Sequence, residues 1–281
     1  AIGIHYLTST TSGNVLSNNT IYSISNSNTG AVATAVIGLC FVPSSAGTLN
    51  SNGNTIDANN IHSITMASTS ASASITGLYV TSGSTLFSNN MIRLGLKLDG
   101  TAITTGYIIN GINEASGGSN YYFNSIYIGG SSVAASTANY AYNSSVTSGT
   151  RFLQNNIFWN ERSCTSGSPL NYAIRIGGTS GITCSYNALI ASNSSQFGQV
   201  LSTNYATFGA YPVISGSINA DPKFVNRTGN ASSVDLHIDT TQVSPVEGIG
   251  TAIAAVTTDY DGESRANLSP VDMGADAGFL S

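Results

Sequence analysis

Charge is what this chain has least of. Only 7% of its 281 residues are Asp, Glu, Lys or Arg, where an ordinary soluble domain carries about 25%. Eight Lys and Arg, never in a run, cannot form the clustered positive surface that a nucleic-acid backbone requires. The same scarcity leaves a polysaccharide lyase without the cations that would hold an anionic polymer and neutralise its carboxylates. No apolar stretch reaches the ~18 residues of a membrane-spanning helix. Ala, Glu, Lys and Leu never combine over a helical window, so helices are not expected. Three cysteines are an odd number and give no disulfide framework. Cys164 and Cys184 could pair across one repeat, the alternative being small buried hydrophobes, which is how Cys40, inside Ile37-Gly38-Leu39-Cys40-Phe41-Val42, reads. No Cys/His cluster has the spacing of a zinc site.

What is present is Ser, Thr, Asn and Gly, together with 41% hydrophobic residues. Ile, Val, Leu and Tyr recur in short alternating runs, which a disordered chain lacks. A tripeptide Asn-x-Ile/Leu returns at Asn19-Thr20-Ile21, Asn59-Asn60-Ile61, Asn90-Met91-Ile92, Asn124-Ser125-Ile126, Asn155-Asn156-Ile157 and Asn187-Ala188-Leu189, at intervals of 40, 31, 34, 31 and 32 residues. A repeat of this length is a stack of similar units, each burying its apolar edge on its neighbours.

Each unit opens with a strand, the best of which read φ-Gly-φ, as in Ile2-Gly3-Ile4, Ile37-Gly38-Leu39 and Thr76-Gly77-Leu78. A Gly/Ser bend follows: Thr11-Ser12-Gly13, Ser45-Ala46-Gly47, Thr81-Ser82-Gly83, Ser116-Gly117-Gly118, Thr147-Ser148-Gly149 and Thr179-Ser180-Gly181. A second strand then carries Asn-x-Ile. Strands in one orientation without intervening helices predict an all-β parallel β-helix of about six coils, each strand pairing with its counterpart ~4.8 Å away. Residues 1–195 form the coils, and 196–281 form the last coil and a C-terminal cap of the same domain. The Asn row (Asn19, Asn59, Asn90, Asn124, Asn155, Asn187) is expected at a corner, tolerating left-handed backbone and bonding to the Asn stacked above. The row Ile21, Ile61, Ile92, Ile126, Ile157 and Leu189 is expected to point into the core. Asn54-Thr55-Ile56 reads as a duplicated corner or a long loop, and the low-complexity run Met66 to Ser74 as a projecting loop.

After residue 195 the repeat fades into Ala220-Asp221-Pro222-Lys223-Phe224-Val225, Val234-Asp235-Leu236-His237-Ile238, Ser244-Pro245-Val246, Thr258-Asp259-Tyr260-Asp261-Gly262-Glu263-Ser264-Arg265 and Val271-Asp272-Met273-Gly274-Ala275-Asp276. This order resembles the C-terminal end of secreted bacterial right-handed parallel β-helix proteins, the pectate-lyase-like group. The resemblance spans residues 218–277. It implies the right-handed fold and leaves the activity open, since lyases, hydrolases, adhesins and shafts share it. Two departures are Glu247-Gly248 after Ser244-Pro245-Val246 and Ala277 after Asp276.

No catalytic residue is assigned. The coil region offers Asp57, Asp99, Glu114 and Glu161 with Arg93, Lys97, Arg151, Arg162 and Arg175, none paired at i, i+2 and none recurring a coil later. Glu161-Arg162 reads as a solvated loop pair. Asp259 and Asp261 have spacing that could hold calcium, the one cofactor considered; the alternative is an Asp-Gly turn paired to Arg265. Tyr121, Tyr122, Phe123, Phe158 and Trp159 are either glycan-stacking residues or core. Three functions remain open: a non-catalytic structural or adhesive module of a surface protein or filament, a carbohydrate-active enzyme or glycan binder, and an ice-binding solenoid. The last needs matching Thr arrays, and Thr8, Thr10 and Thr11 have no counterparts in later coils. Low charge, hydroxyl-rich composition and Asn-x-Ser/Thr sequons at Asn18, Asn143, Asn193, Asn226, Asn230 and Asn267 fit secretion. Ala1 to Leu7 is already a repeat strand, so further coils or other copies of the chain are the expected partners at that end.

Overall fold

The computed structural model describes residues 1–8, 13–43, 53–133, 138–168, 170–267 and 270–278. The bend Ser45-Ala46-Gly47, the residues Thr10, Thr11 and Ser12, and Leu268-Ser269 of the last sequon lie outside the described residues. The chain is all-β and winds into a parallel β-solenoid with three long sheets, not two. The first contains Ile2–Thr8, Ala35–Pro43, Ser74–Val80, Ile108–Glu114, Asn139–Ser144, Asn171–Ile176 and Gly198–Val200, closed by the antiparallel Thr203–Tyr205. The second runs from Val15–Ser17 to Ile182–Ser185, and the third from Thr20–Ile21 to Ala188–Ala191, each six strands deep. Six stacked strands bound about five full turns.

The stretch expected to be one strand is two, broken at the Asn corner, as in Leu86–Ser88 and Met91–Leu94. The break is a left-handed residue: Asn18, Ala58, Asn89, Phe123, Asn155 and Tyr186 have φ of 57°, 50°, 52°, 55°, 59° and 54°. One such residue swings the chain from the second sheet to the third.

The two sequence motifs fit into each other. In register, Ile21, Ile61, Ile92, Ile126, Phe158 and Leu189 form one row of the third sheet. A Cβ on Gly3, Gly38, Gly77 or Gly111 would lie 2.6, 2.5, 2.4 or 2.3 Å from the Cγ2 of Ile21, Ile61, Ile92 or Ile126 respectively. The glycine of φ-Gly-φ is thus the notch for the branched methyl of Asn-x-Ile in the same coil. In the next two coils the glycine position becomes Ala141 and Ala173, and the opposing residue becomes Phe158 and Leu189, neither of them β-branched. An aromatic column, Tyr6–Phe41–Phe87–Tyr121–Tyr142–Phe158, stacks through the interior with centroid spacings of 5.0 to 5.8 Å.

Met66 to Ser74 does not project. Thr65–Met66 pairs with Ser25–Asn26, and buried Ser68 donates to the carbonyls of Gly30 and Val32. Asn54 immediately precedes the second-sheet strand Thr55–Asp57, its Oδ1 accepting from the amide and side chain of Asn14.

The C-terminal region does two jobs. Residues up to Ile218 close the last coil, with bridges Ser185–Ser215 and Ala188–Ile218 and with Phe208 and Tyr211 packed on Phe197. The remainder is not an end cap. It runs back along the outer face of the third sheet, where Phe224, Leu236, Ile238, Val246, Met273 and Ala275 bury Met91, Tyr127, Ile157, Trp159, Ala188 and Ile190.

Candidate functional site

At the inner corner the asparagines form a continuous ladder. Each Nδ2 donates to the Oδ1 one coil on: Asn19 to Asn59 (3.0 Å), Asn59 to Asn90 (2.9 Å), Asn90 to Asn124 (2.9 Å), Asn124 to Asn156 (2.9 Å) and Asn156 to Asn187 (3.0 Å). Each Oδ1 also accepts the preceding Asn backbone amide. The fifth member is therefore Asn156, not Asn155, and its inward partner is Phe158, not Ile157. Asn155 is the left-handed residue of that corner, and Ile157 faces outward under the C-terminal strap. The ladder asparagines themselves are not left-handed; the residue before each one is. At the far end Asn187 N–H finds Ser217 Oγ. At the first coil no donor among the described residues reaches Asn19 Oδ1.

The buried arginines hold backbone. Arg93, Arg151 and Arg162 are fully buried. Arg151 donates to the carbonyls of Val146, Gly149, Gly178 and Ser180, and Arg162 to those of Ile103, Thr105 and Gly129. Glu161 and Arg162 are thus not a solvated pair. Glu161 instead accepts Tyr127 OH (2.7 Å) and Arg227 Nε (3.1 Å), while Arg227 lies over the Trp159 ring at 4.4 Å. Glu114 is buried and accepts Ser119 N–H, Tyr142 OH and Ser144 Oγ–H; burial pushes its carboxyl above the ordinary range.

The aromatic candidates for glycan stacking offer no free ring face. Tyr121 and Phe158 are in the interior column, Tyr122 packs beside Phe152, Phe123 lies under Arg265, and Trp159 sits beneath Phe224 and Arg227. Cys40, Cys164 and Cys184 are free thiols. Cys184 faces the core of the second sheet while Cys164 pairs in a separate two-stranded ladder, so the two are not joined.

Among the described residues the strap carries the one concentration of acid and imidazole. Asp259 is no open cation ligand: Oδ1 accepts the amides of Asp261 (3.1 Å) and Glu263 (2.7 Å), and Oδ2 that of Ala277 (3.3 Å). Arg265 pairs with neither Asp259 nor Asp261. Its guanidinium donates to Asn89 Oδ1 and the carbonyls of Thr258, Gly274 and Ala275, and stacks on Phe123 at 3.9 Å. Asp261 turns instead to His237, with Oδ2 3.2 Å from Nε2. His237 Nδ1 is 2.5 Å from Asp235 Oδ1, and Tyr260 packs edge-on to the ring. Asp276 Oδ2 accepts Ile238 N–H. One donor atom each from His237, Asp261 and Asp276 lie within 4.8 Å of one another. Neither His237 nor Asp276 is found by metal-ligand spacing; the only sequence signal is Asp235-x-His237, and the strap fold supplies the rest. A mostly apolar cleft of about 440 Å³ opens between Phe123, Ile253, Val256, Arg265 and Val271.

Among the described residues no helix is long and apolar enough to cross a membrane. The likeness to the pectate-lyase-like group rests on the motifs of residues 218–277 alone, for the chain matches no protein-family model, no curated protein and no solved structure.

Proposed function

We propose that this chain is a non-catalytic structural or adhesive module of a secreted surface protein or filament, built as a right-handed β-helix. One observation carries the reading: the residues that recur from coil to coil are those that hold the stack, and Arg93, Arg151, Arg162 and Arg265 are buried on carbonyls rather than displayed in a groove. A depolymerase needs carboxylates or cations converging on an accessible sugar. The coil carboxylate Glu114 is instead sealed in the interior.

The first coil favours a partner. Strands Ile2–Thr8, Val15–Ser17 and Thr20–Ile21 are edges, with Ile2, Leu7 and Val15 exposed, and Asn19 Oδ1 lies where a further ladder Asn would donate. An edge of this kind can pair with another copy of the chain. The test is incubation of the purified protein with neutral and anionic polysaccharides, with shortened chains and unsaturated ends measured alongside glycan binding. Binding or inertness without chain cleavage is expected; catalytic release of oligosaccharides would overturn the reading.

A further inference from the structure

We propose that His237, Asp261 and Asp276 bind one divalent ion of the zinc type, tying three segments of the strap together. The donors come from strand Asp235–Ile238, the Asp259–Gly262 turn and the closing segment, so a single ion would cross-link them. His237 is already oriented for this. Asp235 holds Nδ1 at 2.5 Å, which directs Nε2 towards Asp261. A carboxylate behind a ligating imidazole fixes its ring and tautomer in metal sites generally.

Asp276 supplies the independent pointer to a ligand. It is only 8% exposed, one oxygen accepts Ile238 N–H, and its other oxygen meets no hydrogen-bond donor among the described residues. Three carboxylates, Asp235, Asp261 and Asp276, lie around one imidazole, and the Arg265 guanidinium, hydrogen-bonded to Asn89 and three carbonyls, acts on Asp276 by charge but offsets only one of the three negative charges. The group therefore carries surplus negative charge, part of it away from water, which a divalent ion would neutralise. An imidazole donor selects zinc-type ions over calcium and magnesium, which take oxygen ligands. Zinc distances of about 2.0–2.2 Å require the donors to draw closer than they stand. Asp261, exposed on its turn, is the residue free to move. Three protein ligands leave a fourth position for water.

The experiment strips the full chain with chelator and titrates ZnCl₂, and separately CaCl₂, by calorimetry and thermal unfolding, in a Cys164→Ser background that removes the accessible thiol. Expected are one zinc per chain, a raised Tm and no calcium effect. His237→Gln and Asp261→Asn abolish the zinc response with the far-ultraviolet spectrum unchanged. Asp235→Asn, a positioning residue, weakens affinity about 10- to 100-fold. Absence of saturable zinc binding, or one-to-one binding that survives Asp261→Asn, would overturn the proposal and leave a His–Asp hydrogen-bond cluster only. Either result is independent of the glycan assay.

Discussion

Asn124→Ala removes five side-chain hydrogen bonds at once. Nδ2 donates to Phe87 O (3.0 Å), Tyr122 O (3.1 Å) and Asn156 Oδ1 (2.9 Å); Oδ1 accepts Asn90 N–H (3.1 Å) and Asn90 Nδ2 (2.9 Å). Some partners keep a second bond. Tyr122 O retains Asn89 N–H, Asn156 Oδ1 retains Asn124 N–H, and Asn90 Nδ2 retains Ile56 O. The buried amide of Asn90 loses its acceptor. A stranded buried group at ~1–3 kcal/mol and the other losses at ~0.5–1.5 kcal/mol each, partly compensated, give about 3–5 kcal/mol. That is a large share of a stability of roughly 5–15 kcal/mol. Asn19→Ala is the control. It loses two donations, to Ser17 O and Asn59 Oδ1, at a half-buried site where no described residue donates to its Oδ1, and should cost about 1 kcal/mol. Urea unfolding followed by fluorescence and circular dichroism measures both, with equal m-values required because solenoids can lose two-state behaviour. Indistinguishable losses at Asn124 and Asn19 would refute the ladder argument. Asn156→Ala should resemble Asn124→Ala, whereas Asn155→Ala should only loosen the strap.

Three further outcomes follow from the packing, burial and thiol chemistry. Gly77→Ala drives a Cβ to 2.4 Å from Ile92 Cγ2 and 2.7 Å from Gly111 O, costing ~1–3 kcal/mol or more, and Ile92→Leu should recover part of it; strict additivity in the double mutant would rule out the notch. Burial pushes the Asp272 carboxyl up to about 6 and also raises Asp57 and Glu114. The fold then keeps protons that the unfolded chain releases above pH ~4, so this contribution is complete below that pH and lost as pH rises through about 6. His62, which burial lowers to about 4, works the other way over the same range, so the test is a difference: on going from pH 7 to pH 5 the wild type should gain stability relative to Asp272→Asn, whose Oδ1 still accepts Gly248 N–H, and Tm curves that stay parallel over this range contradict the sign. Thiol labelling of the native protein should modify Cys164 alone, with Cys40 and Cys184 reacting only after unfolding; an intact mass short of two hydrogens would show a disulfide instead.

The repeat made the fold legible because a solenoid writes the same contacts at every turn. Asn-x-Ile and φ-Gly-φ are visible without coordinates, and so is the parallel stack. Their interlocking is not, since it pairs the Gly of one sheet with the Ile of another in the same coil, 15 to 23 residues apart. The doublet Asn155-Asn156 admits two frames, and hydrogen bonding selects the one that the fixed tripeptide does not. The role of arginine was hidden for a different reason. Guanidinium–carbonyl bonds have no sequence partner, so Arg162 next to Glu161 reads as an ion pair although the two side chains serve different elements. The strap was visible as motifs but not in its placement, because nothing local says that residues 219–278 turn back along the third sheet.

The corner explains why the strap lies there. Its backbone presents two adjacent rows with opposite directions. The ladder row points inward and holds coil to coil; the left-handed row before it points outward. Two members of that outer row are bonded to the strap. Asn89 donates to Thr258 O and accepts from Arg265, and Asn155 donates to Thr251 O and accepts Thr251 N–H. Between them Phe123, whose side chain makes φ of 55° costly, supplies the ring on which Arg265 rests. The strain at Phe123 is therefore offset by a cation–π contact that no smaller residue could make. In these coils and the next, Met91, Ile157 and Ala188 face outward from the third sheet. Without the strap that face would be an exposed apolar sheet, the kind of surface that aggregates. The outer corner row and the apolar face thus bind one strap together, and the Asp259–Arg265 turn is where both grips meet.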